Sequence, residues 1–263
     1  MRIASWNINS IRPRLGLIGR FVEAFAPDVL CLQEIKVADE LFPIEAVRDL
    51  GFTSVAVHGQ KGYHGVAILS RLALTDVTTR HWCAIAESRH VYASLPDGII
   101  LHNIYVPSGG DVPDPDENPK FAHKLCFMSE MAAWFDAQKS AAGRLVLVGD
   151  LNVAPLDTDV WSHKQLLNVV SHTPVEVGHL ARLARAHDWV DAVRHFVPTS
   201  EHLYSWWSYR ARDWSASDRG RRLDHVWVTP ALEPALKAAR IVREVRGWDN
   251  PSDHVPVIVD LAV

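Results

Sequence analysis

The stretch that most constrains the fold is residues 145–152, with the sequence LVLVGDLN. Four apolar residues in a row predict a strand covered on both faces, because a strand with one wet face would alternate with polar residues. Gly149 follows the four apolar residues, and after it come an acid and an amide two residues apart, Asp150 and Asn152. In isolation, Asp150 is equally well explained as a turn cap. The pattern therefore predicts a doubly covered sheet with a polar strand end.

Composition limits the classes of protein to which this chain can belong. A chain of 263 residues that is 48% hydrophobic can bury a sizeable core. The net charge of −4 excludes a generally basic protein that coats nucleic acid, so a nucleic-acid role needs a local positive patch or a bridging metal.

Cys31, Cys83 and Cys126 are far apart and lack metal-ligand spacing, so we expect reduced, buried thiols in a cytoplasmic protein. Neither a signal peptide nor a membrane span is evident in the sequence.

The order of the elements predicts the fold class. Strand patterns at 2–7, 29–32 and 145–148 alternate with helical spacing at 14–25 and 120–142, whereas 90–95 and 98–105 form a predicted hairpin. The breaker-rich residues 107–115 predict a long loop at the mouth of a site. Strands that both pair in hairpins and alternate with helices indicate an α/β fold, with two mixed sheets packed face to face and helices outside. One domain fits this pattern better than two.

Polar groups suited to a metal or a phosphate recur at the predicted strand ends. Mg²⁺ prefers oxygen ligands, and a histidine beside acids is suited to act as a base or a phosphate ligand. Each residue alone has an ordinary explanation, such as solvated surface, turn cap or core packing. Together they form a candidate site of Asn7, Glu34, Tyr105, Asp150, Asn152, Asp224, Asp253 and His254.

Two segments near the candidate site are suited to nucleic acid. Residues 204–210, YSWWSYR, offer aromatic rings for stacking beside the cationic Arg210. Residues 219–222, RGRR, form a basic run immediately before Asp224, and Lys61 and Lys36 extend the charge. The alternatives are an aromatic-rich core strand and a solvated surface run. No Cys/His pair has zinc spacing, and no glycine motif for a nucleotide is present.

Seven segments, taken in order along the chain, resemble the exonuclease III branch of the endonuclease/exonuclease/phosphatase family. They are 6–12 (WNINSIR), 32–36 (LQEIK), 59–67 (GQKGYHGVA), 103–107 (NIYVP), 149–155 (GDLNVAP), 222–224 (RLD) and 252–254 (SDH). The resemblance implies a four-layer sandwich of two packed mixed β-sheets flanked by helices, forming a single catalytic domain over residues 1–263. It implies Mg²⁺, for which Mn²⁺ can substitute, and hydrolysis of DNA phosphoesters.

The resemblance also implies a role for each residue around the reacting phosphate. Glu34 would bind the metal, with Asn7 and Asp253 nearby. Asp150 would activate the water or protonate the leaving oxygen, and Asn152 would orient the nucleophile or the phosphate. A bound metal would neutralise charge that builds up at phosphorus.

The remaining matched positions concern phosphate and DNA. His254, oriented by Asp224, would hold phosphate oxygens together with Tyr105, and Trp206 would pack against a deoxyribose. The implied partner is double-stranded DNA with 3′ ends, nicks or abasic sites, and the implied protein is a monomer that acts at the nucleoid in the cytoplasm. The expected DNA-binding set is Lys61, Trp206, Arg210, Arg219, Arg221 and Arg222.

The sequence departs from abasic-site-cleaving relatives at His163, where those relatives tend to carry glycine. An imidazole there would fill a path that an internal abasic nucleotide must use when it is turned out of the duplex. We therefore expect 3′→5′ exonuclease and 3′-phosphatase activity to exceed abasic-site incision. The alternative is that His163 points into solvent at a helix start after Ser162.

Two other functions remain open from the sequence. A family member could act on another phosphoester, such as a phospholipid or an inositol phosphate. A DNA-binding protein with a decayed catalytic set is a different class, which the complete matched set argues against. Release of nucleotides from DNA would separate both alternatives from the nuclease.

Overall fold

The computed structural model describes residues 1–140 and 143–263, and within them it contains fourteen strands and six α-helices. The strands are β1 (Arg2–Asn7), β2 (Val29–Gln33), β3 (Ser54–His58), β4 (Val66–Ser70), β5 (Thr75–Thr79), β6 (His90–Leu95), β7 (Ile99–Tyr105), β8 (Leu145–Asp150), β9 (Val190–Asp191), β10 (Trp206–Trp207), β11 (Gly220–Arg221), β12 (Asp224–Val228), β13 (Leu236–Ile241) and β14 (Val257–Leu261). The helices are α1 (Leu15–Phe25), α2 (Ile44–Asp49), α3 (Pro119–Ala137), α4 (His163–Leu166), α5 (Pro174–Ala186) and α6 (Trp214–Ser217).

Twelve of these strands form two six-stranded mixed sheets. The first has the order β13-β14-β1-β2-β4-β3, and the second has the order β5-β6-β7-β8-β12-β9. Each sheet contains one parallel pair near its centre, β1 with β2 and β7 with β8, and its other pairs are antiparallel. The short strands β10 and β11 pair separately.

The alternation of side chains along β8 shows how the layers are assembled. Val146 and Val148 belong to the core between the two sheets, where they meet residues of the first sheet such as Ile3. Leu147 points the other way, into a core that α3 and α5 share with the second sheet. Both faces of the strand are therefore covered, as its unbroken apolar run predicts.

Helices cover the outer faces of both sheets and complete the four layers. Phe21 of α1 and Val47 of α2 pack against the first sheet, whereas Phe135 of α3 and Leu183 of α5 pack against the second. The predicted α/β sandwich is thus confirmed. No helix of the described residues is long and apolar enough to cross a membrane.

Local signals located the starts of α3 and α5 to within one residue. Thr173 and Glu176 form the predicted capping box, in which the Thr173 hydroxyl accepts from the Glu176 backbone amide. The long helix begins at Pro119 and ends at Ala137, earlier than the predicted 142; residues 141 and 142 lie outside the described residues. The hairpin of β6 and β7 forms as predicted.

The expectation that all three cysteines are buried thiols is wrong for two of them. Cys31 is a free, buried residue of β2, but Cys83 and Cys126 form a disulfide. Their Cα atoms are 6.3 Å apart because the loop that carries Cys83 packs onto α3. A separation of 43 residues gave no sequence signal for this contact.

Candidate active site

Five strand ends bring the predicted polar residues to one rim of the two sheets. In the second sheet, Tyr105 of β7 and Asp224 of β12 both lie opposite Asp150 of β8. In the first sheet, Asn7 ends β1 beside the end of β2, directly before Glu34. The carboxyl ends of neighbouring parallel strands meet at one edge, which explains why residues so distant in sequence converge.

A cleft of about 570 Å³ opens at this rim. Six of the eight candidate residues contribute to its lining, and Asn7 and Asp224 are fully or almost fully buried behind it. The six lining residues are Glu34, Tyr105, Asp150, Asn152, Asp253 and His254.

Gly149 is required by the close approach of β7. Its φ is +147°, and a Cβ at this position would lie 1.8 Å from the carbonyl oxygen of Ile104. Only glycine permits the two backbones to come this close just before Asp150.

Glu34 is held as an ionised carboxylate at the edge of the cleft. Its Oε1 accepts hydrogen bonds from Asn7 Nδ2 at 2.9 Å and from the Tyr105 hydroxyl at 2.7 Å. Its Oε2 lies 2.8 Å from Lys36 Nζ. Burial opposes the charge, but Lys36 and the hydrogen bonds outweigh it and lower the pKa of Glu34 to about 2. Burial, Glu34 and Asp150 raise the pKa of Tyr105, so its hydroxyl remains a donor.

Asp150, His254 and Asp224 lie in a buried row, in which His254 is hydrogen-bonded to Asp224 and forms an ion-pair contact with Asp150. His254 Nδ1 is 2.8 Å from Asp224 Oδ2, and His254 Nε2 is 3.7 Å from Asp150 Oδ2. Burial opposes the charge on His254, but Asp224 and Asp150 outweigh it, so the pKa of His254 is raised. Burial raises the pKa of Asp150, and Asp224 and Glu34 add to this effect. The site therefore places a cationic His254 imidazole beside Asp150, whose raised pKa favours exchange of a proton.

Asn7 and Asn152 fix the orientation of Asp150. Asn7 Nδ2 donates to Asp150 Oδ2 as well as to Glu34, which links the ends of the two sheets. The Asn152 backbone amide donates to Asp150 Oδ1 at 3.0 Å, and its side-chain amide donates to the Val106 carbonyl. Asn152 and Glu34 both have positive φ angles, +54° and +51°. Backbone strain of this kind is common where surrounding contacts hold functional groups in place.

The oxygen donors at the cleft fit a hard divalent cation. Glu34 and Asp253 both line the cleft. Asn9 connects Asp253 to Lys36, the cationic partner of Glu34: its Oδ1 accepts from Lys36 Nζ at 2.5 Å and its Nδ2 donates to Asp253 Oδ1. The Lys36 ammonium therefore already lies among carboxylate and amide oxygens that converge on positive charge. Asp150, Asp224 and His254 also place ligand atoms within 4.8 Å of one another, but Asp224 already engages His254 Nδ1.

One wall of the cleft carries most of the predicted DNA-binding residues. Trp206, Arg210, Arg219 and Arg221 all line it. The Arg221 guanidinium lies over the Trp206 ring at 5.3 Å, and that of Arg219 lies over Trp161 at 4.7 Å. These stacked pairs present flat apolar surface together with positive charge.

The prediction that Arg222 binds DNA is wrong. Its side chain is 1% exposed, and its guanidinium is paired with Asp159 at 2.8 Å and with Asp191 at 2.6 Å. Its Nε, Nη1 and Nη2 each donate to one of these two carboxylates in the interior, so the guanidinium is not accessible to a phosphate. Adjacent residues on a strand point in opposite directions, so Arg221 faces the cleft and Arg222 faces the core.

Two other predicted residues do not line the cleft. Lys61 is exposed in the loop between β3 and β4. His163 begins α4 after Ser162, and its Nδ1 lies 2.8 Å from His172 Nε2 and 3.0 Å from Asp157 Oδ1. These partners hold its ring, which does not line the cleft, and the hypothesis that it obstructs the path of an internal abasic nucleotide stays a prediction.

The sequence analysis missed two buried residues that support the site. Lys124 Nζ donates to the Asn152 carbonyl oxygen at 2.7 Å and pairs with the buried Glu176. The Ser205 hydroxyl donates to Asp224 Oδ2 at 2.7 Å. The signal for Lys124 was its position on the apolar stripe of α3, one turn after Phe121.

The comparisons with known proteins agree with this geometry. A model of the endonuclease/exonuclease/phosphatase family matches residues 4–254. The chain is 32% identical over 271 residues to exodeoxyribonuclease III of Haemophilus influenzae, with 98% of each protein covered. An AP endonuclease structure from Archaeoglobus fulgidus matches with a TM-score of 0.93 and 29% identity, and 100% of both chains is covered. A 3′ phosphatase from Neisseria, bound to a product DNA hairpin, matches with a TM-score of 0.92 and 30% identity, again over 100% of both chains.

The family match covers nearly the whole chain, and it includes the polar rim and every strand except β14 and the first two residues of β1. The relative from Haemophilus influenzae matches over almost its full length as well. The chain therefore belongs to the endonuclease/exonuclease/phosphatase family and is an exodeoxyribonuclease III-like hydrolase that cleaves phosphoester bonds.

Proposed function

We propose that this chain is a single-domain, metal-dependent DNA-repair enzyme that trims and cleans the 3′ ends of duplex DNA in the cytoplasm. Its activities in this proposal are 3′→5′ exonuclease and 3′-phosphatase, with weaker incision at abasic sites. The observation that carries the proposal is a single cleft in which the acid, amide and imidazole groups of the rim face a wall of stacked arginine and tryptophan side chains. The matching structure described as a 3′ phosphatase with a DNA product supports it.

Glu34 and Asp253 would hold Mg²⁺ or Mn²⁺ in this proposal, with Asn7 behind them. When bound, the cation supplies Lewis-acid stabilisation of charge on the phosphoryl oxygens. Asn7 holds the Glu34 carboxylate in place through Oε1, while Tyr105 donates to the same oxygen. The low pKa of Glu34 keeps this ligand ionised throughout the physiological range.

Asp150 handles the proton in the proposed reaction, either by activating the attacking water or by protonating the leaving oxygen. The burial that raises its pKa brings this group closer to the pH at which it can exchange a proton. Asn152 orients the nucleophile beside it. The His254 imidazolium, fixed by Asp224, neutralises charge that accumulates on the phosphate.

The aromatic and basic wall would bind the DNA strand next to the reacting end. Trp206 is anchored by its Nε1 donating to Asp253 Oδ2 at 2.9 Å, so its ring is fixed beside the catalytic groups. Arg210, Arg219 and Arg221 supply positive charge for the backbone. These arginines give the cleft wall a local positive charge, so a chain with a net charge of −4 can still bind polyanionic DNA.

The test compares three DNA substrates of matched sequence: a duplex with a 3′-phosphate, one with a recessed 3′-hydroxyl and one with an internal abasic site. We expect the first two to be turned over faster, because an internal nucleotide must first be turned out of the duplex. D150N protein serves as the control for contaminating nucleases. Preferred turnover of a phospholipid or inositol phosphate over all three duplexes would overturn the proposal.

A further inference from the structure

Three residues outside the cleft are close enough together to bind a metal ion. His163, at the start of α4, and Asp157 and His172, in the neighbouring loops, place three ligand atoms within 4.8 Å of one another. These atoms are Asp157 Oδ1, His163 Nδ1 and His172 Nε2, with His163 Nδ1 at 3.0 Å from the carboxylate and 2.8 Å from the second ring. None of the three residues contributes to the lining of the catalytic cleft.

We propose that Asp157, His163 and His172 form a second divalent-metal site, which takes Zn²⁺ in preference to Mg²⁺ and clamps one wall of the cleft. Two imidazoles and one carboxylate are a ligand set that suits Zn²⁺, with a fourth position left for water. Mg²⁺ prefers oxygen ligands alone, so the two sites of the molecule differ in the metal they favour. The proposal does not depend on the proposed substrate.

His172 is prepared to act as a ligand. Its Nδ1 lies 2.7 Å from the carbonyl oxygen of Ala154, which assigns the ring proton to that nitrogen. Nε2 then presents its lone pair toward His163. Histidines that bind metals commonly donate their other N–H to a carbonyl in this way. The residue is 2% exposed, so its ring orientation is fixed by the fold.

The other two ligands have the freedom that metal binding requires. A tetrahedral ion with metal–nitrogen bonds of about 2.0–2.1 Å separates its nitrogen ligands by about 3.3 Å. The ring nitrogens must therefore move apart by about 0.5 Å from their present 2.8 Å. The side chains of His163 and Asp157 are 40% and 73% exposed, and both can shift by this amount without disturbing the core. Binding through Nδ1 requires the His163 proton to leave that nitrogen, either to Nε2 of the same ring or to solvent.

A metal at this position would join two segments that form the cleft wall. Trp161, two residues before His163, and Ser171, next to His172, both line the cleft. Ser171 also accepts a hydrogen bond from Arg221 at 2.8 Å, and Trp161 lies under Arg219. Ligation would thus fix the loop between residues 155 and 172 and, with it, the two arginines expected to grip DNA.

The experiment measures Zn²⁺ binding by calorimetry on tag-free full-length protein in excess Mg²⁺, which occupies the oxygen-rich site. A C83S/C126S background removes this pair, because Cys83, Cys126 and Glu130 also place possible ligand atoms together when the disulfide is reduced. We expect one Zn²⁺ per chain in this parent and at least about 100-fold weaker binding in H163A and in D157N, since even loss of an outer-shell partner costs 10–100-fold. H179A, which changes a partly exposed histidine of α5, should bind as the parent does.

Two further measurements distinguish a built site from loose surface binding. Co²⁺ in place of Zn²⁺ should give the visible absorption of a tetrahedral ion in the parent and in H179A but not in H163A. Amide exchange of residues 155–172 should slow on Zn²⁺ addition only in proteins that keep the three ligands. Equal Zn²⁺ affinity in H163A and H179A, or no saturable binding by the parent, would overturn the proposal.

Discussion

At the scale of single residues, we expect the negative charge of Glu34 to determine how much metal the activity requires. Glu34 Oε1 is already shared by Asn7 and Tyr105, so E34Q removes one negative charge while leaving an oxygen in the same place. We expect the Mg²⁺ concentration for half-maximal activity to rise at least about tenfold, because the cation loses a carboxylate ligand. The measurement is a Mg²⁺ titration of 3′-phosphate release. E45Q, at an exposed residue of α2, is the control, and superimposable titrations of E34Q and parent would exclude Glu34 as a ligand.

Asp150 and His254 should affect turnover rather than DNA binding. We expect D150N and H254A each to lower turnover by at least about 10²-fold, as is typical when a preorganised acid, base or electrostatic group is removed. DNA affinity of D150N should persist or improve, since the variant removes negative charge close to the phosphate. Single-turnover kinetics and equilibrium binding to the same duplex separate the two effects. Near-parental turnover in either variant would contradict its assigned role.

The adjacent arginines Arg221 and Arg222 should respond to mutation in opposite ways. R219A/R221A should reduce the slope of log affinity against log salt by up to about two, one for each phosphate that is no longer neutralised by an arginine. R222A should instead lower the free energy of unfolding by about 3 kcal/mol, because it removes the guanidinium that Asp159 and Asp191 share and leaves the buried Asp159 with Arg194 alone. Salt-dependent binding and urea denaturation of both variants provide the test. A stable R222A protein with a reduced salt slope would restore Arg222 to the DNA-binding set.

At the scale of elements, the packing of β7 against β8 depends on a glycine. G149A should lower the free energy of unfolding by about 2–4 kcal/mol, since the added Cβ meets the Ile104 carbonyl oxygen and also requires an unfavourable φ. Gly178 of α5 offers a matched control, because nothing lies within 4 Å of a Cβ at that position. There the same substitution should stabilise the protein by about 0.5–1 kcal/mol. Urea denaturation that gives the two variants the same sign would contradict this interpretation of β8.

Elements and their polar ends were predictable from the sequence because they depend on local pattern. The apolar run before Asp150 determines a doubly covered strand, and parallel strands then bring Tyr105 and Asp150 to one edge. The disulfide of Cys83 and Cys126 was not predictable in this way, because it depends on how a loop packs onto α3. The direction of Arg222 likewise follows from the exact register of a strand end, for which a basic run in the sequence gives no information.

At the scale of the whole molecule, the two sheets and their helices enclose several histidines in neutral form. Burial lowers the pKa of His102 to about 3 and that of His225 to about 4, and burial together with His102 lowers that of His90 further below its usual range. All three side chains are at most 2% exposed. Only the unfolded chain therefore binds protons at these positions in mildly acidic solution.

The stability of the fold should consequently fall as the pH drops below about 6.5, the pKa of an unfolded histidine. Since the folded-state pKa values are lowered, the full stability is present above that pH, and each buried histidine removes about 1.4 kcal/mol per pH unit until its own folded pKa is reached. H225Q retains a side-chain N–H for the Val153 carbonyl, and between pH 6.5 and 4 its unfolding free energy should show a slope shallower by that amount. H179Q, at a partly exposed histidine of α5, is the control. Urea denaturation at a series of pH values gives the slopes, and parallel curves for H225Q and the parent would mean that His225 is already protonated in the folded protein.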